Sequence, residues 1–185
     1  MTLALEPSPS VLLPAVVRTC RALPFRPVHI AAAMAAALLG VTASPVHAAG
    51  VSLAAGPTWT IGQRSSGAIF LTLTGAERRW GGLHWQPELD LGGIKNRHVP
   101  SRHLDRNVAV AAAGVRLPHL WRQAFFSFQV GAASPHTGAL SSTLQFVSSL
   151  GWQQGHAMVM LRHISNGSTH EPNYGESMVL VGVAF

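Results

Sequence analysis

Leu83-His84-Trp85-Gln86-Pro87-Glu88-Leu89-Asp90-Leu91-Gly92 alternates along its whole length. Leu83, Trp85, Pro87, Leu89 and Leu91 form one apolar set, while His84, Gln86, Glu88, Asp90 and Gly92 contribute no apolar side chain to the other. A period of two sends successive side chains to opposite faces of a β-strand; a helix would repeat its apolar positions every three to four residues. The same pattern recurs. Between Leu140 and Trp152 the apolar set is Leu140, Leu144, Phe146, Leu150 and Trp152, interrupted by Ser142 and Ser148. Ser141, Thr143, Gln145 and Ser149 stand opposite, with Val147 as the exception. Ala124, Phe126, Phe128 and Val130 make a third stripe, which Phe125 breaks. Taken with the turn signals between them, such runs predict eight strands, at about 52–62, 67–76, 82–92, 106–116, 121–133, 140–152, 156–166 and 176–185.

Each run is about ten residues, the length a tilted strand needs to cross a bilayer, and eight strands make the smallest usual outer-membrane barrel. A soluble sandwich or lipocalin-like barrel also alternates, but its outer face is solvated. Here the face opposite the apolar stripes mixes Ser, Thr, Gln and Gly, and only 11% of all residues are charged against 48% hydrophobic. That suits a packed polar interior. The connections agree: 93–105 is long and basic and 167–175 is long, whereas the turns near 117–119 and 153–155 are short. Long loops outside and short turns on the periplasmic side are the asymmetry of membrane barrels. The chain is therefore predicted to be all-β, an eight-stranded antiparallel transmembrane β-barrel of the outer membrane. Its terminal aromatic residue, Phe185 on an alternating last strand, resembles what the barrel-assembly machinery favours.

The region before the first strand reads differently. Arg18, Arg21 and Arg26 precede the apolar, small-residue run 30–41, and Val46-His47-Ala48 fits the positions that a signal peptidase reads. Residues 1–48 are predicted to be a signal peptide cleaved after Ala48, leaving 49–185 as the barrel. The run is too short to span a membrane as a helix. Cleavage would remove the single cysteine, Cys20, so no disulfide framework is expected. It would also remove the three arginines and Glu6, lowering the formal net charge from +6 to +4, far from a nucleic-acid signature.

Candidate chemistry lies in Arg162-His163-Ile164-Ser165-Asn166-Gly167 and the following Glu171-Pro172-Asn173-Tyr174-Gly175-Glu176. His163 and Ser165 are two apart, so on a strand they share a face, with Ile164 on the other. Read back from Phe185, the last strand carries Val183, Val181 and Val179 on its lipid side, and Val159 and Leu161 extend that side to His163 and Ser165. A base beside a hydroxyl is the minimum equipment of a serine hydrolase, and polar residues also end strands near turns for no chemical reason. By parity Glu88, Asp90 and Arg162 face inward as an ion-pair network, and Trp80, Trp85, Trp121, Trp152 and Tyr174 fall near strand ends, where aromatic girdles form.

His163-x-Ser165-Asn166, then Pro172-Asn173-x-Gly175 before a terminal strand, together with 140–146 upstream, resembles the PagL-type lipid A 3-O-deacylases, outer-membrane esterases of eight strands. The resemblance covers the last sixty or so residues in detail. It implies Ser165 as nucleophile, His163 as general base, and Asn166 as oxyanion donor through its side-chain amide or backbone N–H. Glu176, the only carboxylate at the start of the last strand, is the candidate acid, although the family's position falls one residue on, at Ser177. Strict alternation turns Ser177 outward and Glu176 inward, so Glu176 serves only if the strand opens with a bulge or starts later. A His–Ser dyad, or Glu171 reaching in, are the other arrangements. Ser168 stands where the family places a glycine, with Gly167 one earlier. Phe146 and Leu144 are the substrate-binding candidates for an acyl groove, and Lys95, Arg97, Arg102 and Arg106 are candidates for lipid A phosphates. Lipopolysaccharide is the implied substrate and partner, with the membrane around the barrel and at most a second copy of the chain as homodimer. No cofactor or metal is expected, since the histidines show no ligand spacing. The competing function is a non-catalytic barrel that binds lipopolysaccharide or acts as an adhesin.

Overall fold

A computed structural model of the chain describes residues 50–62 and 65–185; the predicted signal peptide, 1–48, lies outside the described residues. The strands are β1 (Gly50–Trp59), β2 (Ser66–Thr74), β3 (Arg78–Trp80), β4 (Leu83–Ile94), β5 (Val108–Trp121), β6 (Ala124–Ser134), β7 (Leu144–Gln154), β8 (Ala157–Ser165) and β9 (Glu176–Ala184). All but β3 form one antiparallel circle, β2-β1-β9-β8-β7-β6-β5-β4, which closes where β2 pairs with β4 from Ala68↔Ile94 to Thr74↔Glu88. The predicted eight-stranded barrel is thus present. The short β3 was not foreseen. It folds back on the start of β4, Arg78↔Trp85 to Trp80↔Leu83, as a hairpin below the circle.

Two boundaries differ from expectation. Leu117-Pro118-His119 is not a turn: β5 runs on to Trp121, and its register against β6 shifts between Leu117 and Trp121. Proline has no N–H for the ladder, so it sits where pairing is interrupted by a bulge, and the chain reverses only at Arg122-Gln123. Likewise Leu140 does not open a strand. It is fully buried in the connection before β7, which begins at Leu144.

The outer face of the wall is apolar, while the interior sets buried charges among apolar side chains such as Phe70, Met160 and Leu180. Leu53, Ile69, Leu91, Leu150, Leu161 and Val181 are among the large apolar side chains exposed on the outside. Inside, Glu88, Asp90 and Arg162 face one another as parity required. Arg162 Nη2 lies 2.6 Å from Asp90 Oδ2, and its Nε donates to Ser149 Oγ at 2.9 Å. Thr72 donates to Asp90, Gln129 Nε2 donates to Glu88 Oε1 at 2.9 Å, and Arg116 stacks on Phe125 at 3.6 Å. Charges out of water persist when each meets an opposite charge and hydrogen bonds. A soluble barrel would hold the apolar stripes inside and the charges outside; this wall is built the other way round, as a bilayer requires. Among the aromatic residues, Trp80 and Trp121 are exposed at the end with short turns, and Trp121 meets Trp152 edge to face at 6.0 Å.

The other end carries residues 60–62 after β1 and the connections 95–107, 135–143 and 166–175. Three of these are tied together. Gly138 N–H donates to Arg102 O (3.2 Å), Gly175 N–H to Ala139 O (3.0 Å), and Ser141 Oγ to His170 O (3.1 Å). Leu104, Ala139 and Leu140 are buried beneath them. These contacts hold the middle and the β9 end of the 166–175 connection, next to the strands where the candidate chemistry lies.

Candidate active site

β8 alternates strictly in burial. Met158, Met160, Arg162 and Ile164 are buried, while Val159, Leu161 and His163 are exposed and Ser165 is half-buried on the same outer face. Its neighbours are in unbroken register, with Ser148 of β7 and Ser177 of β9 directly across from His163 and Phe146 across from Ser165. A serine, a histidine and a serine therefore lie in a row across three strands of an otherwise apolar wall, at the long-loop end.

The imidazole is held on both edges. Its Nδ1 lies 3.0 Å from Ser177 Oγ. Its other edge faces Gly175, where a methyl group would come within 2.8 Å of Cε1 and 3.1 Å of Nε2. Gly175 also has φ +64°, a conformation that costs an L-residue strain. The β8–β9 register continued by one step sets Gly175 beside Ser165, so the missing side chain leaves room there for the Nε2 edge of the imidazole. Ser165 Oγ has no hydrogen-bond partner among the described residues. Catalytic hydrogen bonds often tighten only around substrate. Above it, Gly167 approaches the edge of Phe146, where a methyl group would lie 3.1 Å from the ring, and Phe146 stacks on Phe128 at 6.1 Å.

Glu176 does not join this group. It opens β9 without a bulge, paired with Ile164, and so turns into the barrel. There both of its oxygens accept from Arg97, Nη1 and Nη2 each at 2.7 Å, and Oε2 accepts from Thr58 Oγ1 at 2.7 Å. The expected triad acid is instead half of a buried bidentate ion pair. The same contact removes Arg97 from the phosphate candidates, since its side chain is buried. Lys95, Arg102 and Arg106 remain exposed. Glu171 is exposed in the connection.

Asn166 is fully buried, and its Nδ2 donates to His170 O (2.7 Å) and Ser141 Oγ (3.0 Å). The amide is committed to the loop and is not aimed at Ser165. The backbone N–H makes a long contact, 3.4 Å, to Asn173 Oδ1, and is the more available of the two donors expected of Asn166. Asn173 thus sets the environment of that N–H.

A groove of about 370 Å³ runs over the outer wall from His163 and Ser177 past Trp59, Ser148, Leu150 and Leu161. Leu150 and Leu161 also line a second, more apolar groove of about 430 Å³ that reaches Val159, Trp152 and Trp121. Leu144 and Phe146 lie on the loop side of His163, away from both. No group of His, Cys, Asp or Glu side chains is arranged for a metal ion among the described residues.

A closed barrel with His163 and three serines, Ser148, Ser165 and Ser177, on its apolar outer wall is the class that fold and site define. No family model matches the chain, and no curated protein matches it. A solved structure described as "Crystal structure of the outer membrane enzyme PagL" is similar over 74% of this chain and 98% of that one, with 16% identity and a TM-score of 0.48.

Proposed function

We propose that this chain is an exported outer-membrane esterase that hydrolyses the 3-O-linked acyl chain of lipid A. The observation that carries the reading is the position of His163, on an apolar outer wall at the long-loop end, with Ser165 one step higher and a groove leading away toward the barrel's middle. A soluble substrate has no access to such a wall; a lipid whose ester lies below its head group does. His163 Nε2 takes the Ser165 hydroxyl proton as Oγ adds to the acyl carbonyl. The tetrahedral intermediate collapses, the sugar oxygen leaves with the proton from His163, and water then hydrolyses the acyl-serine by the same base. The developing oxyanion falls to a backbone N–H at the start of the 166–175 connection, that of Asn166 being the candidate. The acyl chain lies along Leu161 and Leu150, with Phe146 and Leu144 contacting the head-group side. Lys95, Arg102 and Arg106 meet the phosphates. No cofactor takes part.

One observation favours a barrel that binds lipopolysaccharide without cutting it: Glu176 is engaged by Arg97, and among the described residues no carboxylate touches His163. The mass spectrum of lipid A from cells expressing the chain separates the two. Loss of one hydroxyacyl chain, absent with Ser165→Ala, supports the esterase, and an unchanged spectrum with a folded barrel supports the binder.

A further inference from the structure

We propose that Ser177 is the positioning residue of His163: its hydroxyl accepts the proton on Nδ1 and so leaves Nε2 as the bare nitrogen facing Ser165. The inference rests on the esterase reading. It is carried by the 3.0 Å contact between His163 Nδ1 and Ser177 Oγ, made between directly paired residues of β8 and β9.

An imidazole acts as a base through one nitrogen only if the other keeps its proton, and the hydrogen bond made by the second nitrogen decides which. At His163 that bond is to a neutral hydroxyl. The surroundings explain why a hydroxyl serves. Trp59, Leu150 and Leu161 border the same groove, and an ionised carboxylate in an apolar setting carries a large desolvation cost unless it is paired. The chain keeps its carboxylate one residue away and inside, where Arg97 and Thr58 satisfy it. That buried pair also sets the parity of β9. With Glu176 anchored inward, Ser177 has to face out, and Thr58 Oγ1 donates to Ser177 O at 3.1 Å as well. Arg97, on the 95–107 connection, thereby reaches His163 through two residues without touching it. A hydroxyl orients the ring, but it supplies no charge to stabilise the imidazolium that forms during the reaction.

The test uses the full-length barrel in detergent micelles with a long-chain p-nitrophenyl ester, and nitrogen-15 NMR of the histidine ring. Ser177→Ala is expected to lower kcat about tenfold, the size of one lost hydrogen bond, with KM unchanged. Ser177→Thr, which keeps the hydroxyl on a strand-compatible side chain, is expected to stay within about twofold of the original kcat. The ring spectrum is expected to show the proton of neutral His163 on Nδ1, and a mixture of tautomers in Ser177→Ala. Wild-type kcat in Ser177→Ala, or a proton resident on Nε2 in the unaltered protein, would overturn the proposal. So would a fluorophosphonate label attached to Ser177 and not Ser165, which would make Ser177 the nucleophile. Failure of the esterase reading looks different: no hydrolysis by the unaltered chain and no label on Ser165. The ring spectrum still decides the role of Ser177 in that event.

Discussion

Adding one methyl group at Gly175 should abolish the proposed ester hydrolysis while leaving the barrel standing. The β-carbon of Gly175→Ala would lie 2.8 Å from Cε1 and 3.1 Å from Nε2 of His163, the first closer than real contacts allow. The imidazole must swing away, because the other side of the intrusion is backbone: Ile164 O lies 3.3 Å from the same point. A displacement of about 1 Å at a reacting group costs on the order of a hundredfold in rate, equivalent to about 2.7 kcal/mol of barrier. The alanine also has to hold φ near +64°, a strain of about 1–2 kcal/mol against the fold. Gly175→Asn separates the two effects, since asparagine tolerates that backbone conformation yet still brings a β-carbon. Both variants are therefore expected to lose about a hundredfold in kcat, with Gly175→Asn the more stable to urea. The assay is ester hydrolysis by protein whose heat-modifiable migration on gels shows a folded barrel. Wild-type turnover in either variant would refute the requirement for open space at Gly175 beside Nε2.

Other consequences follow from the same geometry. Arg97→Met leaves Glu176 charged and unpaired in the interior, with both side chains now almost fully buried; urea unfolding should show a loss of about 3–5 kcal/mol, and Arg97→Met with Glu176→Gln should recover part of it. A loss below about 1 kcal/mol, the scale of an exposed pair, would mean the ion pair does not organise this end. Val159→Phe fills the groove about 13 Å from His163, four strand residues away. It is expected to shift the ratio of long- to short-chain ester turnover about tenfold toward short chains; an unchanged ratio would place the acyl chain elsewhere.

The barrel was legible because alternation is a local property. Leu83 to Leu91 declares its two faces in nine residues, and the same parity correctly sent Glu88, Asp90 and Arg162 inward and His163 outward. What failed depended on partners. Pro118 signals a turn when read alone, and only pairing with β6 reveals the bulge that accommodates it. Leu140 matched the stripe of β7 by position, yet loop packing buries it before the strand begins. Arg78-Arg79-Trp80 is too short to display any period. At the site, parity already turned Glu176 inward, against the triad role suggested by its being the only carboxylate at the start of the last strand. Its true partner was invisible because Arg97 lies 79 positions away in a connection that reads as solvent-exposed and basic. The groove could not be foreseen either. Leu150 and Leu161 meet only through the register of β7 against β8, which the period of two does not specify.

The most direct test of the account is the mass of lipid A extracted from outer membranes that carry the chain, compared with membranes that carry Ser165→Ala at equal folded abundance. The account predicts lipid A lighter by one hydroxyacyl chain with the unaltered protein and unmodified lipid A with the variant. Identical spectra from the two, with both barrels folded, would contradict it.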